Sequence, residues 1–244
     1  MERAIIVQGL SKSYASLKAV DNLSFEVAKG ETFGLLGHNG AGKTTSIECI
    51  LGVKKPDSGS ALIFGKSARK NRKEIYGKVG VQFQQTNYQD KVRVDEVCRV
   101  TAALYRKPAS WEALLNTFGL SDKKMKMVAE LSGGERQRLS VLLALIPDPE
   151  LVFLDELTTG LDAKARRDLW KYLEGLKQKG LTIMLTSHYM DEVNILCDRI
   201  CILKKGVAAF MGTVTEAIEE SPYDNLEEAY LWHSGEEEYV NENI

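Results

Sequence analysis

The chain has few cysteines, almost no net charge and no long apolar run, and each shortage removes a class of protein. Its 244 residues hold four cysteines, scattered and without a clustered histidine, so reduced thiols are the expected state. Cys197 and Cys201 have the spacing to share one helix face, but a lone C-x-x-x-C is a weak metal signal. A net charge of −2 and a pI near 6 give no bulk attraction to nucleic acid. The longest apolar run, Leu139 to Ile146 with only Ser140 interrupting it, falls far short of the ~20 residues that cross a bilayer. The N-terminal "MERAIIVQGL" has no basic region leading into a long apolar stretch, so no signal peptide is expected. Together these features predict a cytosolic chain, long enough for one domain, or one domain with a subdomain, around a substantial core.

What is present is alternation. Short β-rich runs alternate with helical patterns, which predicts an α/β fold with a largely parallel sheet. Strands are expected at "TFGLL" (32–36), "KVGVQF" (78–83), "ELVFLDE" (150–156) and "LTIMLTSH" (181–188). Continuous apolar stretches within them, such as Leu151 to Leu154 and Ile183 to Leu185, suit strands buried on both faces. The stretches at about 4–28 and 59–64 are split by Gly, Ser and Asn turns and predict an antiparallel β layer. Residues about 86–147 carry only helical patterns and predict an inserted helical subdomain. The expected division is a domain over 1–221 (core about 1–85 and 148–221) and an acidic tail over 222–244, with its last ten residues solvated.

"GHNGAGKT", Gly37 to Thr44, lies between an expected strand and the helical run "TTSIECIL". This is the context that G-x-x-x-x-G-K-[ST] requires. Glycines let a loop close into a nest of inward N–H groups. The following helix adds its positive end. The phosphate-binding candidates are Gly37, Asn39, Gly40, Ala41, Gly42, Lys43, Thr44 and Thr45. Lys43 supplies a full charge for the outer phosphates, and Thr44 a hydroxyl for Mg²⁺. "LVFLDE" ends a buried strand on two acids. Carboxyl ends of strands are where open α/β sheets bind ligands, so Asp155 is a candidate Mg²⁺ residue. Glu156 is a candidate to polarise the water that attacks a γ-phosphate, a role that typically contributes ~10²–10⁴-fold. His188 ends a neighbouring strand. It is placed either to hydrogen-bond a γ-phosphate or simply to begin a helix, since "TSHYMDEV" resembles a capped helix start. In "LSGGERQRL", Ser132 and Glu135 form a capping box. The capped N-terminus, with Ser132, Gly133 and Gly134, is also an anion site that lacks a lysine of its own. Such a site works best when offered to a phosphate held elsewhere.

In order and spacing, "GHNGAGKT", "VGVQFQQ", "LSGGE", "LVFLDE", "TTGLD" and "TSH" resemble the nucleotide-binding subunits of ATP-binding cassette (ABC) transporters, over roughly residues 3–215. The style is most similar to bacterial drug and antibiotic exporters. The resemblance implies a P-loop NTPase core with a mixed or parallel central sheet, the antiparallel layer and the helical insert. It implies ATP and Mg²⁺ as ligands. Tyr14 would stack on adenine, or else be an ordinary strand-edge tyrosine. Gln84 would touch Mg²⁺ and the attacking water, with Gln82 and Gln85 as rivals. Asp162 would communicate with an opposite subunit, or else cap "AKARRDLWKYL". Two similar subunits, as a homodimer or heterodimer, would clasp ATP between the phosphate loop of one and Ser132, Gly133 and Gly134 of the other. They would drive an integral membrane permease from the cytoplasmic face, with the helical subdomain and the loop after Gln84 receiving it.

Three positions depart from the family pattern. Leu157 replaces the usual proline after the catalytic glutamate, Glu135 replaces a commoner glutamine, and Gln82 puts a polar group in a strand position that is usually apolar. Two other functions compete with transport. One is a soluble ATPase acting on nucleic acid or ribosomes, which the absence of a basic patch, a coiled-coil insert or a second cassette disfavours. The other is a non-hydrolysing module, which intact Lys43, Asp155, Glu156 and His188 disfavour.

Overall fold

A computed structural model describes residues 2–83, 88 and 91–235. Two sheets organise these residues. β1 (Arg3–Tyr14), β2 (Leu17–Ala28) and β4 (Ser58–Ile63) form an antiparallel layer in the order β2-β1-β4. The second sheet runs β5-β6-β7-β3-β8-β9, with β3 (Thr32–Leu36), β5 (Val79–Gln82), β6 (Leu151–Asp155), β7 (Thr182–Thr186), β8 (Arg199–Lys204) and β9 (Val207–Thr213). Its pairings are parallel except β8–β9. Every residue of β3, β6 and β7 is buried, as their unbroken apolar runs require. The parallel order turns the carboxyl ends of β3, β6 and β7 to one edge, and that edge carries the site.

The helices are α1 (Lys43–Ile50), the short α2 (Arg72–Ile75), α3 (Val94–Ala103), α4 (Trp111–Thr117), α5 (Gly133–Leu145), α6 (Ala163–Lys177), α7 (Met190–Leu196), α8 (Val214–Glu219) and α9 (Leu226–Ser234). The antiparallel layer, α1 and one face of the central sheet share a core that includes Ile5, Phe33, Ile47 and Phe153. Phe25 stacks on Phe33 across it, ring centroids 4.9 Å apart. The other face packs on α5 and α6 through Leu139, Leu142, Val152, Leu154 and Leu173.

Among the described residues from 94 to 145 every regular element is helical. α5 nevertheless belongs to the sheet as much as to the insert. A side chain at Gly80 on β5 would meet the Ala144 carbonyl oxygen at 1.9 Å, so glycine lets strand and helix close up.

Three expectations need correction. The segment read as an acidic tail contains α9, which buries Leu226 and Ala229. The His233 ring lies 4.4 Å from that of Phe210, and its Nε2 is 2.9 Å from the Ala217 carbonyl oxygen. Asp224, Glu227 and Glu228 are exposed and flank the short buried stripe. The hairpin β8–β9 has no counterpart among the expected strands. Cys197 and Cys201 share no helix: Cys197 follows α7 and Cys201 lies in β8. Burial raises both thiols, Cys201 to about 12. Among the described residues no group of His, Cys, Asp or Glu is arranged to hold a metal ion.

Candidate functional site

The loop between β3 and α1 is held by glycine geometry. Gly42 has φ +106° and begins α1, and a Cβ there would stand 2.2 Å from the Ala19 carbonyl oxygen. Gly37, at φ +148°, would meet the Leu203 carbonyl oxygen at 2.7 Å. These two positions exclude side chains, which press the loop against β2 and β8. Ala41 is fully buried beneath it. Lys43 donates from Nζ to the carbonyl oxygens of Gly37 at 2.6 Å and His38 at 3.1 Å. Its charge therefore sits at the mouth of its own loop.

The ends of β6 and β7 face this loop. Asp155 and Thr186 are paired in register, and the Thr186 hydroxyl donates to Asp155 Oδ1. Thr44 Oγ1 lies 3.5 Å from Asp155 Oδ2. Burial raises the Asp155 carboxyl, opposed by the Thr186 hydrogen bond and by Lys43. A buried carboxylate beside a threonine hydroxyl offers hard oxygen donors, which fit Mg²⁺.

Glu156 follows at φ +53°, a left-handed conformation that a non-glycine residue adopts at a cost. Several bonds fix it there. Its N–H donates to Thr186 O and to Thr186 Oγ1, each at 3.1 Å. From α5, Gln137 Nε2 donates to the carbonyl oxygens of Glu156 at 3.0 Å and Leu157 at 2.8 Å. Thr186 and Gln137 hold the acid pair through these bonds, and sequence reasoning missed both. One is an ordinary strand threonine, and the other lies within the signature run but looks like a helix-surface residue.

One open cleft of about 460 Å³ gathers Tyr14, Asn39, Gly40, Gly42, Lys43, Thr44, Thr45, Asp155 and Glu156. The Tyr14 ring is partly exposed, with the ammonium groups of Lys54 and Lys12 at 5.1 and 5.6 Å from its centroid.

The other candidates are not brought into this cleft. His188 is exposed past the end of β7, its ring 4.2 Å from that of Tyr189. Ser132, Gly133 and Gly134 open α5. There the expected capping box forms, with Ser132 Oγ accepting from Glu135 N at 3.2 Å and Glu135 Oε2 accepting from Ser132 N at 2.8 Å. Asp162 caps α6, its Oδ1 accepting from Lys164 N and Ala165 N at 2.9 Å each. These bonds hold its carboxyl below the usual range. Gln84 and its rival Gln85 lie outside the described residues. Gln82 has a physical explanation here: it is buried, and its Nε2 donates to the Asp155 carbonyl oxygen at 3.0 Å, tying β5 to β6 beneath the acid pair. Leu157, in the place of the family's proline, is fully buried in the core.

Comparison with known proteins agrees with this geometry. The family model described as ABC transporter matches residues 20–159. The Nod factor export ATP-binding protein I of Paraburkholderia xenovorans is 40% identical over 210 residues, covering 84% of this chain and 69% of that protein. Its namesake from Rhizobium johnstonii is 40% identical over 222 residues, covering 89% and 71%. Among solved structures, an ATP-binding subunit of an ABC transporter superimposes with a TM-score of 0.87 at 26% identity, over 95% of this chain and 99% of that one. A dimeric ATP-binding cassette in a post-hydrolysis state with ADP and Pi shares the fold, with a TM-score of 0.78 at 24% identity over 86% and 98%. A phosphate loop facing an acid pair, with a family match over more than half the chain and a solved cassette that superimposes on nearly all of it, has one outcome: this chain belongs to the ABC transporter family, as a nucleotide-binding subunit that hydrolyses ATP in the service of transport.

Proposed function

We propose that the chain powers export through a separate membrane permease, and that it does so as a dimer in which each ATP is clasped by two copies or by this chain and a similar one. The observation that carries this reading is the separation within one chain: Ser132 to Gly134 open α5, away from the cleft that holds Lys43, Thr44 and Asp155. A glycine-lined helix start outside the cleft that holds Lys43, with Lys123 Nζ turned to Glu135 Oε1 at 3.9 Å, is a half-site. Export as the direction is supported by the similar proteins, which are named as export ATP-binding proteins. Among the described residues no helix is long and apolar enough to cross a membrane. A peripheral position at the cytoplasmic face of a permease fits that.

In this reading Tyr14 stacks on the adenine, a contact typically worth ~1–3 kcal/mol. The loop N–H groups and Lys43 hold the phosphates. Mg²⁺, held by Thr44 and Asp155 and approached by Gln84, would neutralise phosphate charge. Glu156 accepts a proton from water as the water oxygen bonds to the γ-phosphorus. The bond from that phosphorus to the β–γ bridging oxygen breaks, and its electron pair leaves with ADP. His188 hydrogen-bonds the γ-phosphate once the dimer closes. Ser132, Gly133 and Gly134 of the opposite subunit donate to the same group, and Asp162 lies at the seam between subunits. Loss of the bridging phosphate then releases the pair, and the permease follows that opening.

Glu156→Gln tests the reading. It keeps ATP binding, abolishes turnover and accumulates as an ATP-dependent dimer, read by light scattering with Mg²⁺ and ATP. Turnover at the parent rate, or a monomer at saturating nucleotide even with the similar chain of its transporter present, refutes it.

A further inference from the structure

Glu192 is the least expected buried group in the molecule. It lies in the first turn of α7 and is fully buried. A carboxylate in such a place carries a large desolvation cost and is kept only where its hydrogen bonds matter. Its Oε2 accepts from Thr158 Oγ1 at 2.9 Å and from Ser187 Oγ at 2.9 Å. Its Oε1 has no hydrogen-bond partner among the described residues. Both donors are buried as well. The Ser187 hydroxyl accepts from Tyr189 N at 3.0 Å, which leaves its proton for the carboxylate.

The two donors matter because of their positions in the chain. Thr158 is two residues beyond Glu156, and Ser187 is the residue before His188. The strand ends themselves are joined by Thr186, through its bonds to Asp155 and Glu156. The paired register of β6 and β7 ends at Asp155 and Thr186, and the last backbone bond between the two segments is from Glu156 N to Thr186 O. Glu192 grips both at the first point where backbone pairing no longer does so. We infer that Glu192 is a positioning residue for ATP hydrolysis: by accepting from Thr158 and Ser187 through one oxygen, it fixes the loop of Glu156 relative to the loop of His188. The inference rests on the proposed roles of Glu156 and His188. Glu192 touches no substrate and takes no proton from water.

The test is steady-state ATP hydrolysis by the full chain, with binding of a fluorescent ATP analogue measured in parallel. Glu192→Leu keeps the volume and removes the acceptor. It should lower kcat by about tenfold or more, the scale seen when a supporting hydrogen bond is cut, and leave the analogue's Kd within about twofold. Glu192→Gln restores an acceptor oxygen and should bring kcat back to within about threefold of the parent. A merely structural role would move binding and turnover together and would leave Gln no better than Leu, and that pattern overturns the inference. So does a Leu variant with parent kcat. Should the Leu variant fail to fold, Thr158→Val and Ser187→Ala each delete one donor. Each should lower kcat at constant Kd, and parent kcat in both overturns the inference. Glu156→Gln, run alongside, separates the two layers. An inactive Glu156→Gln beside a fully active Glu192→Leu sinks this inference alone, whereas an active Glu156→Gln sinks both.

Discussion

Thr44 and Asp155 stand 111 positions apart in the chain, yet Thr44 Oγ1 lies 3.5 Å from Asp155 Oδ2. One comes from the start of α1 and the other from the end of β6. Their meeting depends on the order of the central sheet, which places β7 between β3 and β6 and turns all three carboxyl ends to one edge. Thr186, at the end of that intervening strand, bonds Asp155 and Glu156 at once. The site is thus three strand ends wide, and its support comes from the middle one.

Thr186→Val should test that support. Valine keeps the shape and deletes the hydroxyl. Asp155 loses the shorter of its two hydroxyl donors, keeping only Thr44 Oγ1 at 3.5 Å, and Glu156 loses one of its two acceptors. We expect turnover to fall by ~10–100-fold with a higher Mg²⁺ requirement, read from ATPase rates across a Mg²⁺ titration. A variant with the parent's rate and Mg²⁺ dependence shows that Thr186 does not support the acids.

Gly42→Ala should disable the phosphate loop. The backbone there has φ +106°, and the new Cβ would meet the Ala19 carbonyl oxygen at 2.2 Å. Backbone strain alone costs on the order of 1–3 kcal/mol, and the collision forces the loop off β2. ATP binding by titration calorimetry should be lost, with a lowered melting temperature. Unchanged affinity would contradict the loop geometry.

Ser132→Asp should separate the cap from the proposed contact in trans. Aspartate is as good an N-cap as serine, so the bond now made by Ser132 Oγ to Glu135 N survives, and thermal stability should hold. In the proposed dimer the added negative charge would face the phosphates held by the opposite subunit. ATP-driven dimerisation of a Glu156→Gln background should therefore disappear, as measured by light scattering. A dimer that persists would remove Ser132 from the interface.

Glu192 makes a prediction about pH. Its carboxyl is pushed up to about 7, chiefly by burial, against hydrogen bonds from Ser187 and Thr158 and the nearby positive charge of Arg166. Cys197, whose thiol burial also raises, is the other titratable group facing it. The folded value lies above the ordinary 4.5, so the folded chain keeps a proton that the unfolded chain releases. Its stabilising contribution is full below about pH 4.5 and is lost as pH rises through about 7. Denaturant midpoints should therefore fall more between pH 5 and pH 8 for the parent than for Glu192→Gln, by an amount on the order of the shift's linkage free energy. Equal falls would show that Glu192 titrates normally.

Much of this was legible in the chain itself. The strand 32–36, the loop Gly37 to Thr44 and the helix behind it form a local unit whose residue types dictate their own conformation. The unbroken apolar runs at Leu151 to Leu154 and Ile183 to Leu185 marked strands buried on both faces. The capping box at Ser132 and Glu135 needs only four consecutive residues, and it formed as expected. α9 escaped because its stripe of Leu226, Ala229 and Ser234 is narrow and lies among acids. β8 carries a comparable apolar run, Ile200 to Leu203, which the sequence reading did not use; β9 is an edge strand, half-exposed along its length, and its pattern is weaker.

Sequence by itself determined the chemistry available at each point of the chain: a nest for phosphates, an acid pair at a strand end, a capped glycine turn. Those depend on interactions within a few residues, where backbone preference and side-chain type suffice. Tertiary structure decided which of them share a site. It set Thr44 against Asp155, put Gln137 under the Glu156 loop, gave Gln82 its bond to the Asp155 carbonyl, and buried Glu192 between two loops. These contacts span 19 to 111 positions, and only the order in which strands pack can bring such groups within hydrogen-bonding reach.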